Sequence, residues 1–559
     1  MLLAIGRRMG VAAVVAAIAL TAACAQTGST ARSAPARQGF RVSGTVVNAT
    51  TGEPVRGAAV ALLTVPDGQM VASTESGDDG QFAMDSLSAA KYQLTASKRG
   101  YSTGFYNQHW EYNSAIVTGP GQDTEHLAFK LSPAGVIYGV VTGDGGDPVE
   151  GASVMLYEKP HRHVPGEQIE QVQTVQTDDT GAYEFSGLEP GDYMIAVKAK
   201  PWYAASPNRA GAQAQETEAE AALDVAYPTT YFDSTTDEGS AGTLTLATGG
   251  REEADISLHA TQAVRLTVAT PRGRGIQQPM LQETIFGSTV QSNALQSGMV
   301  ELIEGVPSEP QRSQGTVEFS GLAPGHYELM QGDPPRMAEI DATSSAQIDP
   351  TEGVPTQTVS GVVQTASGVP LADRAMMVLQ PAEGTGSAVA PAQINGGSFK
   401  FVNVPAGSWL VEIMDQQTQM PVLAVGLRGG KAQAGNRISI DDKPLSLVVT
   451  VSATNIRLEG FARKDGKGLA GAMVILVPKD ISEIAELARR DQTDSDGSFA
   501  LLNVAPGDYT LIAIEDAWGM DWFDPAVISR YLPQGMAVTV RDKSDKTQHL
   551  AGPVPVQAR

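Results

Sequence analysis

Apolar and polar residues alternate in short runs along most of the chain, as in β-strands that bury one face. Four such runs carry a central glycine: Val42–Val46, Ile137–Val141, Val359–Val363 and Leu458–Ala462. A turn rich in Gly and Pro follows the first of them at residues 52–58, and a second alternating run comes next. Helical periodicity is confined to a possible short helix from Ile481 to Arg490. The pattern predicts an all-β protein.

One phrase returns five times: an aromatic strand, an apolar residue, a short turn and an aromatic anchor, as in Leu188-Glu189-Pro190-Gly191-Asp192-Tyr193. Its Pro-Gly pair favours a type II turn, so the phrase predicts a β-hairpin. The anchors are Tyr92, Tyr193, Tyr327, Trp409 and Tyr509, which are 101, 134, 82 and 100 residues apart. About 100 residues is the length of one small β-sandwich.

The spacing therefore predicts a tandem array of about five Ig-like, seven-stranded β-sandwiches. We name these modules 1 to 5, with boundaries at residues 40–133, 134–262, 263–355, 356–453 and 454–559. Module 3 is the degenerate copy, because its opening run Val264–Val268 lacks the glycine and only its closing phrase is clear.

The chain carries a net charge of −23. Nucleic acid is then not expected as a partner, because affinity for phosphate backbones depends on clustered Lys and Arg. Cys24 is the only cysteine of 559 residues. Disulfides cannot hold the modules together, so each must rely on its own core.

The first 25 residues have the order of a bacterial export signal: Arg7-Arg8, an apolar run from Met9 to Leu20, and small residues around Cys24. Two processing events remain open. Leu20-Thr21-Ala22-Ala23-Cys24 resembles a lipobox, which would leave Cys24 lipidated and residues 26–39 as a flexible tether. Cleavage after Ala25 would instead release a soluble protein. We expect an exported protein, anchored to the outer membrane if lipidated, in the periplasm or outside the cell.

The repeated phrases together resemble the carboxypeptidase regulatory-like domain, a transthyretin-like sandwich related to the carbohydrate-binding-like fold. The resemblance extends from about residue 40 to the C-terminus and implies folding, spacing or glycan-binding roles. It does not imply peptidase activity, since none of the seven histidines has a Glu three positions later, as the zinc peptidases require. We expect no enzyme, no cofactor and no metal.

Three weaker patterns favour simple turns or loops. Gly100-Tyr101-Ser102-Thr103-Gly104 has the spacing of a hydrolase nucleophile elbow but lacks the strand-turn-helix context. The turn at residues 494–497 is rich in Asp, like part of a calcium loop, but without the further oxygen ligands, and calcium stays an alternative there. Residues 161–163 read His-Arg-His, in a loop before Pro165.

Aromatic residues cluster after the anchor in modules 1, 2 and 5, outside the repeated phrase. We single out Trp110, Trp202, Tyr203, Tyr231, Trp518 and Trp522 as candidate ligand-binding residues. Aromatic rings stack on sugar faces while nearby polar groups bind hydroxyls. The alternative is that these loops pack between modules. We therefore expect polysaccharide or glycan binding, or else a structural stalk or scaffold that contacts envelope proteins.

Overall fold

The computed structural model describes residues 39–110, 112–160, 169–204, 222–270, 279–291, 295–298, 315–331, 336–349, 353–365, 375–382, 389, 391–415, 418–420, 422–441, 443–451, 456–541 and 547–559. The regular secondary structure of the described residues is almost entirely β-strand, arranged as sandwiches in series, which confirms the predicted fold class. None of the described helices is long and apolar enough to cross a membrane.

Module 1 is a sandwich of two small sheets. Its strands are β1 (Phe40–Asn48), β2 (Ala59–Thr64), β3 (Met70–Glu75), β4 (Gln81–Leu87), β5 (Lys91–Ser97), β6 (Gly104–Phe105), β7 (Ile116–Val117) and β8 (Leu127–Leu131). One sheet has the order β4-β1-β8, and the other has the order β3-β2-β5-β6 with β7 also on β5. Phe82, Tyr92 and Phe129 are buried between the sheets.

Module 2 repeats this plan with a longer insertion after its anchor. Its strands are β9 (Gly135–Thr142), β10 (Ser153–Glu158), β11 (Glu170–Gln176), β12 (Ala182–Leu188), β13 (Gly191–Lys198), β14 (Val225–Ala226), β15 (Thr230–Tyr231), β16 (Leu244–Leu246), β17 (Arg251–Glu253), β18 (Ile256–Ser257) and β19 (Thr261–Gln262). The sheet orders are β12-β9-β17 and β11-β10-β13-β15, and β14 pairs with β19. Phe185 and Tyr193 lie in the core.

Module 3 forms a sandwich from its described residues despite its weak sequence pattern. Its strands are β20 (Val264–Thr270), β21 (Met280–Ile285), β22 (Ser288–Gln291), β23 (Leu295–Gly298), β24 (Gly315–Leu322), β25 (Gly325–Gln331), β26 (Arg336–Ala342) and β27 (Ala346–Ile348). The sheet orders are β23-β24-β20-β27 and β22-β21-β25-β26. Phe319 and Tyr327 are in its core.

Module 4 begins with a long strand that joins it to module 3. Its strands are β28 (Val354–Thr365), β29 (Ala375–Pro381), β30 (Ala392–Gln393), β31 (Ser398–Pro405), β32 (Gly407–Asp415), β33 (Thr418–Met420), β34 (Val422–Leu427), β35 (Ala432–Ala434), β36 (Arg437–Ile440) and β37 (Leu445–Val451). The start of β28 pairs with β26, and the rest pairs with β31 and β37. One sheet therefore runs through both modules.

Module 5 comprises β38 (Ile456–Lys464), β39 (Lys467–Gly468), β40 (Met473–Pro478), β41 (Arg489–Gln492), β42 (Ser498–Val504), β43 (Gly507–Ile514), β44 (Met536–Val540), β45 (Thr547–His549) and β46 (Val554–Gln557). The helix expected at residues 481–490 is shorter, with a 3-10 turn at Ile481–Glu483 and an α-turn at Ile484–Leu487. Two further 3-10 turns, Ala517–Gly519 and Leu532–Gln534, and one α-turn, Pro525–Ile528, follow β43.

The repeated phrase is not the hairpin that its Pro-Gly turn predicts. In module 2, β12 pairs with β9 while β13 pairs with β10, so the turn carries the chain from one sheet to the other. The residue with a left-handed backbone conformation is not the glycine after proline. It is the residue just before the apolar side chain that ends the first strand of the phrase. It has positive φ in all five modules: Ser86, Gly187, Gly321, Asn403 and Asn503. The register of the strand pair shifts at this point, which marks a β-bulge.

We call this passage of the chain from one sheet to the other the crossing. The aromatic anchor of each module stabilises the crossing with a hydrogen bond. Its side chain donates to the backbone oxygen four residues earlier: Tyr92 to Ser88, Tyr193 to Glu189, Tyr327 to Ala323, Trp409 to Pro405 and Tyr509 to Ala505. The donor-acceptor distances run from 2.7 to 3.2 Å. Trp409 uses its indole Nε1, so the bond is kept although the residue type changes. The ring lies in the core while its polar end pairs with the turn.

A buried hydroxyl holds the Gly- and Pro-rich turn in modules 1, 2 and 5. Thr177 Oγ1 donates to the carbonyl of Val149 at 2.6 Å and accepts from the amide of Ala152 at 2.8 Å. Ser76 and Thr493 make the same pair of bonds in modules 1 and 5. Sequence reasoning missed this element, although a Ser or Thr at the end of β3, β11 and β41 was its signal.

Removing the anchor hydroxyl tests the crossing. Tyr193→Phe leaves the ring in the core and the Glu189 carbonyl without its 2.8 Å donor. We expect module 2 to lose about 1 kcal/mol, a net hydrogen-bond value, and its unfolding midpoint to fall by about 4 °C. Hydrogen exchange of β12 and β13 in the full chain reports this. Tyr138→Phe, on the half-exposed outer side of β9, should change nothing; equal exchange rates in both variants would contradict the role of the bond.

Candidate functional site

The predicted aromatic residues divide into a buried and an exposed group. Trp518, Trp522 and Tyr231 are each only 5% exposed, so they present no open ring face to a sugar. The ligand-platform prediction is unsupported for these three, and their positions agree with the alternative of packing. Trp110, Trp202 and Tyr203 are exposed, with Trp202 at 89%.

In module 5 the loop after β43 covers the outer face of its own sheet. Side chains of β40 and β43 are buried on both faces, and Met473, Ile475 and Ile512 on the outer face pack against Trp518 and Trp522. The Nε1 of Trp518 donates to the carbonyl of Gly471 at 2.9 Å. Two buried faces explain why strand β40 is continuously apolar in sequence rather than alternating.

A segment of module 1 completes this cluster. We call residues 106–110 and 112–117, which follow the anchor of module 1, the strap. His109 of the strap stacks on Trp518 with ring centroids 5.1 Å apart and an interplanar angle of 8°. Tyr112 lies 5.3 Å from the same ring. Modules 1 and 5, at opposite ends of the chain, are therefore in direct contact.

Arg490 is the cation at the centre of this aromatic cluster. Its guanidinium carbon lies 4.9 Å from the ring centroid of Tyr112 and 4.9 Å from that of Trp522. It is also 5.6 Å from the ring of Trp518. Cation-π contacts strengthen when they are shielded from water, so Arg490 links rings of both modules.

Buried polar groups fix the register of the contact. Gln492 is 1% exposed; its amide donates to the carbonyl of Asn107 at 2.5 Å and to Ser114 Oγ at 2.9 Å, and its oxygen lies 2.9 Å from His109 Nδ1. Ser114 Oγ donates to the carbonyl of Thr493 at 2.7 Å. These groups are satisfied only when the two modules meet, since a buried polar group without a partner is costly.

An ion pair lies beside this network. Lys91 Nζ is 2.7 Å from Asp494 Oδ2, and Asp494 Oδ1 accepts from the amide of Ala115 at 2.8 Å. The amide of Ser495 donates to the carbonyl of Ala115 at 3.0 Å. The Asp-rich turn at residues 494–497 thus binds module 1, and no group of three or more His, Cys, Asp or Glu among the described residues is arranged to hold a metal ion.

The contact between modules 2 and 3 has a similar design. Phe286 of module 3 packs edge-on against Tyr157 and Tyr231 of module 2, with centroids 5.0 and 5.1 Å away. Tyr231 is thereby buried. Below it, Lys198 Nζ lies 3.2 Å from Glu283 Oε2, and both side chains are nearly inaccessible to water.

The exposed aromatics of module 2 form a separate patch. Trp202 meets Tyr203 edge-on at 5.7 Å, and Tyr203 hydrogen-bonds to Tyr227. Burial, with help from Asp144 and Asp147, raises the pKa of Tyr227 to about 12, so this phenol stays a donor. The patch borders a crevice between modules 2 and 3 that includes Lys200, Tyr227 and Tyr327.

Of the remaining sequence motifs, the structure describes only the one around Ser102. Ser102 lies in a loop before β6, with Oγ 3.5 Å from the carbonyl of Leu188 in module 2, and no helix follows it. This is the turn that the sequence favoured. Residues 161–163 and the whole N-terminal segment up to residue 38, with Cys24, lie outside the described residues.

Comparison with known families agrees with the sequence pattern. Residues 41–132 and 136–224 each match the model of the carboxypeptidase regulatory-like domain, which confirms the resemblance for modules 1 and 2. The comparison with curated proteins finds no match.

Three solved structures illustrate the general likeness. The TIE protein of Bacillus anthracis is 11% identical, over 96% of this chain and 75% of its own, with a TM-score of 0.17. GBS52, the minor pilin of Streptococcus agalactiae, is 16% identical over 40% of this chain and 96% of its own, with a TM-score of 0.20. The shaft pilin SpaA of Lactobacillus rhamnosus GG is 11% identical over 40% and 98%, with a TM-score of 0.19. The fold assignment rests on the family match and on the sheets described above.

The carboxylate of Asp491 gives a pH test of module 5. It accepts from the amide of Ala500 at 2.6 Å between β41 and β42, and burial raises the pKa of Asp491 to about 7. The unfolded chain releases this proton near pH 4, so the stability of module 5 should fall as the pH rises from about 4 to 7 and then level off.

The variant Asp491→Asn mimics the neutral, protonated form of this carboxyl group. We expect slower hydrogen exchange in β41 and β42 than in the wild type at pH 8, after correction for the intrinsic rates, and little difference at pH 4. Asp521→Asn, an exposed control, should show no such pH dependence; a stabilisation that is the same at both pH values would refute the titration.

Proposed function

We propose that this protein, whose modules 1 and 2 are carboxypeptidase regulatory-like domains, is a non-catalytic structural protein exported to the bacterial cell envelope. The observation that carries the proposal is the burial of the loop aromatics of module 5 against module 1. A platform for a loose ligand would leave these rings open to solvent. Here they are used to hold one part of the chain against another.

The contacts between modules support an arrangement in which each module is held by its neighbours, rather than a flexible string of domains. We call this arrangement the braced unit. Module 1 touches module 2 through Ser102, module 2 holds Phe286 of module 3, and β28 runs from module 3 into module 4. Strand β33 of module 4 lies against β42 of module 5, and the strap returns from module 1 to module 5. The contacts form a closed cycle, which suits a protein that must keep its shape.

Export rests on the N-terminal signal, and an anchor at Cys24 belongs to the same proposal. Lipidation would place the braced unit on the outer membrane through the tether at residues 26–39. The mass of the mature N-terminus distinguishes an acylated Cys24 from a soluble form that begins at Gln26.

Small-angle scattering of the mature chain tests the braced unit. A row of five modules, each about 35 Å long, would have a radius of gyration of roughly 50 Å. The closed cycle should give a much smaller value. The double variant His109→Ala/Tyr112→Ala removes the strap rings from Trp518 and should raise the radius of gyration.

Trp110→Ala is the matched control, because this tryptophan lies on the same strap but is 39% exposed. It should scatter like the wild type. A wild-type radius near that of the row, unchanged by the double variant, would refute the braced unit.

Glycan binding at module 2 is a second candidate, favoured by the exposure of Trp202. The ring of Trp202 is 89% accessible, lies beside Tyr203 near a crevice between two modules, and is open for stacking on a sugar face. The acidic groups near Tyr227 would accept hydrogen bonds from hydroxyls, and the net charge of −23 favours neutral over anionic polysaccharides.

A screen of neutral polysaccharides by affinity electrophoresis tests this candidate. Trp202→Ala should weaken binding by about 5- to 30-fold, since stacking on one ring is worth about 1–2 kcal/mol. Phe461→Ala, at another exposed aromatic, should have no effect. Retardation that is the same in all three proteins would rule out the patch, and the absence of retardation by every polysaccharide would count against the candidate as a whole.

A further inference from the structure

We propose that the strap of module 1 also docks module 5 of a second copy of this chain, so that the contact that closes one molecule links molecules to one another. This inference rests on the proposed structural function and names its partner. The strap would bind the face of module 5 in the second copy that is formed by residues 490–498 and Trp518. We call this face the docking face.

The contact joins two different surfaces from opposite ends of the chain. The hydrogen bond from Ser114 to Thr493 spans 379 residues, and the ion pair between Lys91 and Asp494 spans 403. A contact between two unlike surfaces is heterologous, and it can close within one molecule or continue from copy to copy as a ring or filament. Nothing in its chemistry depends on the two surfaces being covalently linked.

The docking face is organised by module 5 alone. Trp518 is held by its bond to Gly471, and Arg490 stands between Trp518 and Trp522. Thr493 is fixed by its own bonds to Leu469 and Ala472. The face therefore presents the same donors and rings to any strap that reaches it.

The strap is likewise organised by module 1. Gln108 accepts from the amide of Phe105 and donates to the carbonyl of Trp110. The amide of Ser114 donates to the carbonyl of Tyr106 at 3.1 Å, and β7 at the end of the strap pairs with β5. Two pre-organised surfaces can meet with little further ordering, which is a condition for exchange between copies.

Concentration decides which partner is used. A tethered partner competes at an effective concentration in the millimolar range, so a dilute chain closes on itself. Lipidation at Cys24, part of the proposed function, would bring copies together on a membrane and raise their local concentration. Exchange of module 5 would then convert closed molecules into reciprocal dimers or head-to-tail chains.

The ion pair provides a probe in the unmodified protein. Carbodiimide condenses the amine of Lys91 with the carboxylate of Asp494 into an amide with loss of water, at a contact now 2.7 Å long. Mature chains with ordinary nitrogen and with heavy nitrogen are mixed in equal amounts, co-refolded from urea at low and high concentration, crosslinked and digested. We expect mixed-label peptides joining Lys91 to Asp494 at high concentration, approaching half of these crosslinks.

The control crosslink is internal to module 5. Lys464 and Glu515 form an ion pair there and should give peptides of one label at every concentration. If the Lys91–Asp494 crosslink forms but always carries one label, closure is correct and docking between copies is refuted. If the crosslink does not form at all, the braced unit itself is wrong.

A charge exchange gives an independent test. Lys91→Glu alone and Asp494→Lys alone each place like charges across the contact, whereas an equal mixture restores opposite charges in both reciprocal contacts between two different chains. Light scattering after chromatography should show the mass of a dimer only in the mixture, and the double variant should behave like the wild type. If both single variants are folded by circular dichroism and the mixture keeps the mass of one chain, the proposal fails.

Discussion

The fold of every module depends on one crossing, where the chain leaves one sheet and enters the other. A residue in the left-handed conformation bulges the first strand, the next apolar side chain enters the core, and an aromatic anchor bonds back to the turn. Without this bond the carbonyl of the turn would lose the donor that the anchor side chain supplies. The five modules differ in length, loops and even in the residue type of the anchor, but all keep this hydrogen bond.

The modules differ in what covers the outer face of the sheet that contains the anchor strand. In modules 2 and 5 this face is apolar, so it must be covered. Module 5 covers it with its own turns and with the strap of module 1, and module 2 covers it with Phe286 from module 3. A sandwich that is apolar on a second face needs a neighbour, and this need turns a string of modules into a braced unit.

The sequence was sufficient for the fold because strand alternation and the anchor spacing are local or regular signals. The runs Val42–Val46 and Ile137–Val141 lie inside β1 and β9, as expected. The hairpin prediction was wrong because a turn with proline and glycine looks alike whether its two strands pair with each other or with other strands.

The candidate site was harder, for a physical reason. The sequence located the aromatic loops after the anchors, but whether a ring is buried depends on a partner that can be more than 400 residues away. Trp518 is covered by His109, and no local pattern at residue 518 records this. Of the six candidate residues, Trp110, Trp202 and Tyr203 keep the exposure that a ligand platform requires.

Electrostatics explains why so acidic a chain can hold itself together. With a net charge of −23, the modules repel one another on average, so the contacts need compensation at the points where they meet. Lys91 with Asp494, Lys198 with Glu283, and Arg265 with Asp224 each join two modules, and in each pair at least one side chain is largely shielded from water. Exposed ion pairs add little stability, whereas breaking a shielded pair leaves a costly lone charge. The cations at these junctions therefore favour these pairings of modules, because a shielded carboxylate without its cation would be costly.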